Sequence, residues 1–179
     1  MKEFRKFKTR DVSYLFQAPN GVPGDITRTD ESNVEPIMLQ QNGSPLAYPQ
    51  AFGLANIYVA GGVGAWQTTN VAADFCGSLV REVPAIGGYP SDGFTPNIPN
   101  PAYPTGLCVR GYMSVVCQYG TPARGGVVYV NIQATGSRVV GGFEATSEPS
   151  FNVALSATQA EWASDGVDAF QNAELRIAR

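Results

Sequence analysis

The residue types that ordinarily carry chemistry are sparse in this 179-residue chain, and the gaps are specific. Histidine is absent, which removes the commonest general base and the commonest metal ligand together. Ser-His-Asp triads and Cys-His pairs are thereby excluded. No CxxC pair offers a zinc site, and no Gly-rich loop followed by Lys-Ser/Thr offers a phosphate cradle. Gly61-Gly62-Val63-Gly64 and Gly125-Gly126 lack the strand-to-helix setting of a dinucleotide site and read as turns. Asp165, Asp168 and Glu174 are near enough in sequence to form paired carboxylates of the glycosidase kind, but that chemistry also needs a substrate cleft. Solvated surface is the ordinary fate of such residues. The sequence therefore predicts no enzyme, no metal and no cofactor.

Cys76, Cys108 and Cys117 do not make a paired framework. The latter two fall in one predicted strand, nine residues apart, and at ~3.3 Å per residue they stand about 30 Å from each other, beyond disulfide reach. Buried free thiols made in a reducing cytoplasm are the expectation. The basic start is followed only by a short apolar stretch, residues 12–16, so no secretory signal is read, and no run approaches the ~20 apolar residues of a membrane span. A soluble protein without a membrane partner follows.

Charge is unevenly spread. All three lysines lie in the first eight residues, and Lys2, Arg5, Lys6, Lys8 and Arg10 against Glu3 give the first ten a net +4. The remainder carries seven basic and fourteen acidic residues, so a basic tip is attached to an acidic body. Short charged termini are ordinarily solvated and mobile. Here Phe4, Phe7, Tyr14 and Phe16 give the tip more apolar surface than an idle tail carries, and Phe4 and Phe7 share a face at helical spacing. Five positive charges on that body make a poor nucleic-acid footprint. Residues 1–52 carry turn signals without sustained periodicity and are expected to form an extended arm, lying on its own body or on a neighbour. Ile37, Met38 and Leu39 make a second sticky patch, suited to an oligomer contact.

The elements that would hold such an arm are strands. Charged residues are only 15%, with 20 glycines, 13 prolines and 11% aromatics, a mix that suits short strands and many turns. Across residues 107–117 the odd positions Leu107, Val109, Gly111, Met113, Val115 and Cys117 form one nearly apolar face, as a half-buried strand requires. After the turn-rich residues 119–126, Val128, Val130 and Ile132 form a second such face. Further strands are expected over residues 54–59, 75–83, 138–140, 151–155 and 173–177, with a helical turn over residues 158–163 that buries Trp162. Residues 84–104 contain six prolines and cannot pair as a central strand. That long loop carries Tyr89, Phe94 and Tyr103, placed for contact or for packing on its own body.

Phe75-Cys-Gly-Ser-Leu-Val-Arg-Glu-Val83, Val109-Arg-Gly-Tyr-Met-Ser-Val115, Pro122-Ala-Arg-Gly-Gly-Val-Val-Tyr-Val130, Ala160-Glu-Trp162 and Ala173-Glu-Leu-Arg-Ile177 occur in an order that resembles the head decoration, or structural cement, proteins of tailed bacteriophages. The resemblance spans residues 53–179. It implies a small antiparallel β-barrel, β-tulip or jelly-roll-like, over 53–179, with the Pro-rich insert 84–104 as a departure from compact relatives. It further implies binding to the major capsid protein on the outer surface of the virion, and stabilisation of the expanded head. With that expectation, Lys2, Phe4, Arg5, Lys6, Phe7, Lys8, Arg10, Tyr14, Phe16, Tyr89, Phe94 and Tyr103 become candidate capsid contacts, and a closed homo-oligomer is expected, a trimer before a dimer. A tail-tube or fibre subunit and a carbohydrate-binding β-module are the rival readings.

Overall fold

The computed structural model describes residues 21–43, 47–81 and 98–178. Ten strands run β1 Asn33–Ile37, β2 Ala55–Val59, β3 Gly62–Ala65, β4 Phe75–Val80, β5 Thr105–Val116, β6 Tyr129–Asn131, β7 Phe143–Glu144, β8 Asn152–Ala154, β9 Ala160–Trp162 and β10 Asn172–Ile177. Two 3₁₀ turns, Thr29–Glu31 and Ala72–Asp74, are the helical elements among the described residues. The protein is mainly β, with named strand pairs all antiparallel: a seven-stranded sheet ordered β3-β2-β4-β5-β10-β9, with β1 also on β5, and a three-stranded sheet ordered β7-β6-β8. The order has two ends, so the described strands do not form the closed barrel that the resemblance implies. Each end is covered instead. Residues 38–40 bond to Val63 beside β3, and Gly125 and Gly126 bond to Trp162 of β9, which blunts edges that would otherwise template association.

The twelve-residue strand β5 is the hub. Its first half pairs with β4 and β1, its second half with β10. Ahead of β1, Gly24, Asp25 and Thr27 bond to the backbone of Ser114 and Tyr112. Residues 24–37 thus run antiparallel along β5 almost from end to end. The expected apolar face is buried, but it serves two cores. Leu107 and Val109 pack with Leu39, Val63, Cys76 and Leu79, whereas Cys108, Met113, Val115 and Cys117 pack with Phe75, Val128, Val130, Phe143, Trp162 and Leu175. The inward parity changes near a register shift, where Asn33 faces Arg110 but Val34 faces Cys108. Such a bulge re-aims side chains that strict alternation would keep on one side.

The larger cluster lies where the two sheets meet, with the Phe75 and Phe143 rings edge-to-face at 6.2 Å. Fully burying each ring contributes about 1.5–3 kcal/mol relative to exposure. Val128 and Val130 are buried as expected, but β6 pairs with β7 and β8 and not with β5. Two readings are corrected. Residues 138–140 form no strand, only a bridge from Arg138 to Thr135 across a turn. Residues 160–162 form β9 and no helical turn: Ala160 and Trp162 point inward opposite Ile177 and Leu175, while Glu161 points outward to Arg176. Trp162 is buried as expected.

Gly77 and Gly111 hold the crossings around β5. A Cβ on Gly77, at φ +145°, would stand 2.3 Å from the Cys108 carbonyl oxygen, and one on Gly111, at φ +128°, would stand 2.5 Å from the Ser32 Cα. Neither backbone can give way without opening a strand pair. Gly125 also has positive φ but open space around it. Gly77→Ala is therefore expected to lose about 3 kcal/mol or more and Gly125→Ala only about 1 kcal/mol, compared by urea unfolding.

Candidate interaction surface

Among the described residues no group of three acidic or cysteine side chains could hold a metal ion. The cysteines are free and buried, and burial pushes the thiols of Cys108 and Cys117 up to about 11, so neither offers a nucleophilic thiolate near neutrality. The three carboxylates singled out from the sequence each hold the fold. Asp165 accepts the Arg124 N–H at 2.9 Å, Asp168 accepts the N–H groups of Phe170 and Asn172 at 2.8 and 2.9 Å, and Glu174 pairs with Arg28.

Of the candidate contacts, Lys2, Phe4, Arg5, Lys6, Phe7, Lys8, Arg10, Tyr14, Phe16, Tyr89 and Phe94 lie outside the described residues. Tyr103 is 62% exposed in the turn ahead of β5. The patch Ile37, Met38, Leu39 is divided: Met38 is 40% exposed, Leu39 is buried in the smaller core, and Ile37 packs against it. Residues 21–43 and 47–52 of the expected arm lie on the body, through the pairing along β5 and through Tyr48 and Phe52, which pack on the smaller core.

The described ends of the two candidate contact segments meet. Gly24 donates its N–H to the Ser114 carbonyl and accepts the Arg81 N–H, both at 2.8 Å. The Arg81 side chain donates from Nε to the Pro23 carbonyl at 3.2 Å and stands 5.3 Å from the Phe52 ring centroid. Gly24 is tightly enclosed, since a Cβ there would fall 2.7 Å from the Phe52 Cβ. Pro23, Gly24, Phe52 and Arg81 thus form one contact on the body. The sequence signalled only the turn at Pro23-Gly24, because the contact joins residues 57 apart.

Two ionic clamps stiffen the body, and neither was visible in the sequence. The Glu174 carboxylate accepts Arg28 Nε at 3.1 Å, Arg28 Nη2 at 2.8 Å and Thr27 Oγ1 at 2.6 Å, while the Arg28 guanidinium lies 3.9 Å over the Tyr112 ring. Burial acts to raise the Glu174 pKa, but the bonds from Arg28 and Thr27 and the Arg28 charge hold it below the ordinary value of 4.5. The second clamp centres on Arg138, whose guanidinium makes a two-pronged contact to the fully buried Glu144 at 2.7 Å and a further one to Glu148. Asn152 donates to Glu144 at 2.6 Å, and the Tyr119 and Phe151 rings lie within 4.7 and 5.7 Å of the guanidinium. The hydrogen bond to Glu144, with Glu148 behind it, raises the Arg138 pKa despite the opposing cost of burial.

Arg138→Ala strands the Glu144 carboxylate in the interior and is expected to cost about 3–5 kcal/mol, read by urea unfolding. Arg138→Lys should recover only part of that loss, because an ammonium cannot reproduce the planar fork. For Glu174 the folded pKa is depressed, so its stabilisation is present above the unfolded value and is lost as pH falls through the folded one. Glu174→Gln should unfold at lower urea than the unmodified protein at pH 7. The two midpoints should converge as pH falls below 4.5, the ordinary glutamate value.

No curated protein matches the chain. The profile of one family, described as structural cement protein (E217 gp24/Pam3 gp6), matches residues 11–178. That span takes in the segment along β5, both clamps, the meeting of Gly24 with Arg81, and nearly the whole sequence. The chain belongs to the phage structural cement protein family, a family of non-enzymatic virion components.

Proposed function

We propose that this protein binds the outer surface of an assembled phage head, on the lattice of the major capsid protein, and stabilises the expanded shell. The observation that carries this reading is the family match over residues 11–178. The physical logic supports it. A pressurised shell needs from its decoration only binding that favours the assembled state. A ligand that binds one state alone stabilises it by about 2.7 kcal/mol at a hundredfold excess over its dissociation constant. Repetition over a closed lattice multiplies that gain.

A closed homo-oligomer, a trimer before a dimer, fits a shell with threefold and twofold positions and raises the effective concentration of each subunit at its site. The basic, aromatic first sixteen residues supply the anchors in this reading, with Phe4, Phe7, Tyr14 and Phe16 burying apolar area. Lys2, Arg5, Lys6, Lys8 and Arg10 meet acidic capsid surface, chiefly affecting association rate and salt dependence. Purified protein mixed with undecorated expanded capsids should co-sediment with them and raise their thermal rupture temperature. Absence of both effects overturns the reading.

A further inference from the structure

Glu144, Glu148, Glu161 and Glu174 are each paired with an arginine, whereas Asp25 and Asp168 make no ion pair among the described residues. Each of these aspartates gives one oxygen to the backbone. Asp25 Oδ2 accepts the Val22 N–H at 3.0 Å, and Asp168 Oδ1 accepts the N–H groups of Phe170 and Asn172. The second oxygen of each, Asp25 Oδ1 and Asp168 Oδ2, is buried without a hydrogen-bond partner. So is the hydroxyl of Ser114, a residue with no exposed surface.

These groups are gathered around Gly21. Ser114 donates its N–H to the Asp25 carbonyl at 2.8 Å. A Cβ on Gly21 would stand 3.3 Å from Asp25 Oδ2 and 3.8 Å from the Ser114 Cβ, so the bare glycine leaves open the space between those two side chains. Asn172 ties in Asp168: its Nδ2 donates to the Gly21 carbonyl at 2.9 Å, and its backbone N–H donates to Asp168 Oδ1 at 2.9 Å. Glu174, opposite Ser114 in the pairing of β5 with β10, is already neutralised by Arg28 and leaves both aspartates uncompensated.

We propose that Asp25, Asp168, Ser114 and the Gly21 carbonyl form a binding site for one calcium ion. A buried carboxylate oxygen without counter-charge is costly, and one cation relieves both aspartates together. Every ligand on offer is an oxygen, which selects a hard ion over zinc or copper. Calcium takes about six to eight oxygens in adaptable geometry, so two carboxylates, a hydroxyl, a carbonyl and solvent water suffice, whereas magnesium demands a near-ideal octahedron. With only two acidic ligands the affinity falls in the weak range, about 10⁻⁴ to 10⁻³ M. The ion joins residues 21–25, β5 and the turn ahead of β10, three segments far apart in sequence. The inference goes beyond the capsid reading and does not depend on it.

The chelator-treated full chain would be melted in EDTA and in about 10 mM calcium chloride, a tenfold or greater excess over the expected dissociation constant. Calcium should raise the melting temperature by about 3 °C or more, and titration calorimetry should count one ion per chain. Absence of both effects overturns the proposal and leaves these oxygens to water. Asp25→Asn and Asp168→Asn keep an oxygen for the backbone N–H groups and should weaken calcium binding about tenfold or more. Asp165→Asn removes the same charge from a nearby position whose carboxylate serves the Arg124 N–H, and should bind as the unmodified protein does. Unchanged affinity in both Asp25→Asn and Asp168→Asn, or an equal loss in Asp165→Asn, overturns the site. In EDTA, Asp25→Asn should melt no lower than the unmodified protein, because it removes an uncompensated charge, and in calcium it should melt lower. A deficit of equal size in both media marks a purely structural role and overturns the proposal. Where the aspartate variants fail to fold, Ser114→Ala decides: a severalfold loss of calcium affinity is expected, and unchanged affinity overturns the site.

Discussion

A strand hydrogen-bonded along both edges cannot rotate freely about its axis, and β5 must nevertheless present side chains to two cores. The conflict is resolved over three residues, Val109 to Gly111, where the register against β1 shifts and the inward parity changes. Everything else is arranged around that solution. Ser32 fills the space that a side chain at 111 would need, and its hydroxyl accepts the Tyr112 N–H at 3.2 Å. β4 closes on the other crossing through the bare backbone of Gly77. The two cores, the second sheet and the route of residues 24–37 all follow from a strand that turns over once.

That turn marks the limit of what the sequence discloses. Alternation from Leu107 to Cys117 announces a buried strand, because period two is a local property, and β10 is announced the same way by Ala173, Leu175 and Ile177. The change of core between Val109 and Met113 depends on Ser32, which stands 79 positions before Gly111, so the apolar pattern alone reads as one face. Trp162 was recognisably a core residue, but three residues are too few to tell a strand from a helical turn, and only pairing with β10 decides. The Arg138 clamp joins positions six, eight and ten residues apart in turns and short strands, a spacing that belongs to no regular period. Motif order pointed to the family from residue 53 onward, whereas the family match begins at residue 11. Residues 24–37 lie along β5 through backbone pairing, which many sequences can perform, so they carry no motif of their own.

The distribution of charge divides the molecule by purpose. Arg28, Arg138 and Arg176 each face a carboxylate at 2.8 Å or less, so these cations of the body are committed to ion pairs within it, the first two in the clamps and Arg176 in a surface pair between β9 and β10. The lysines, whose flexible ammonium groups suit solvated and adaptable contacts, are confined to the first eight residues. The body is acidic in balance although it holds seven of the twelve basic residues, and the other five stand in the first ten positions.

The pairing along β5 also sets a timetable for the chain's synthesis. Val34 faces Cys108 and Ile177 faces Gly111, so the first strand waits for residues some 74 positions downstream, and β5 itself waits for β10 to emerge. At about 5–20 residues per second the first wait is about 4–15 s, during which the nascent segment has no edge to join. Chains made only as far as β5 therefore lack the finished hub, and commitment to the native sheet comes once β10 can pair, at the pace of long-range strand pairing.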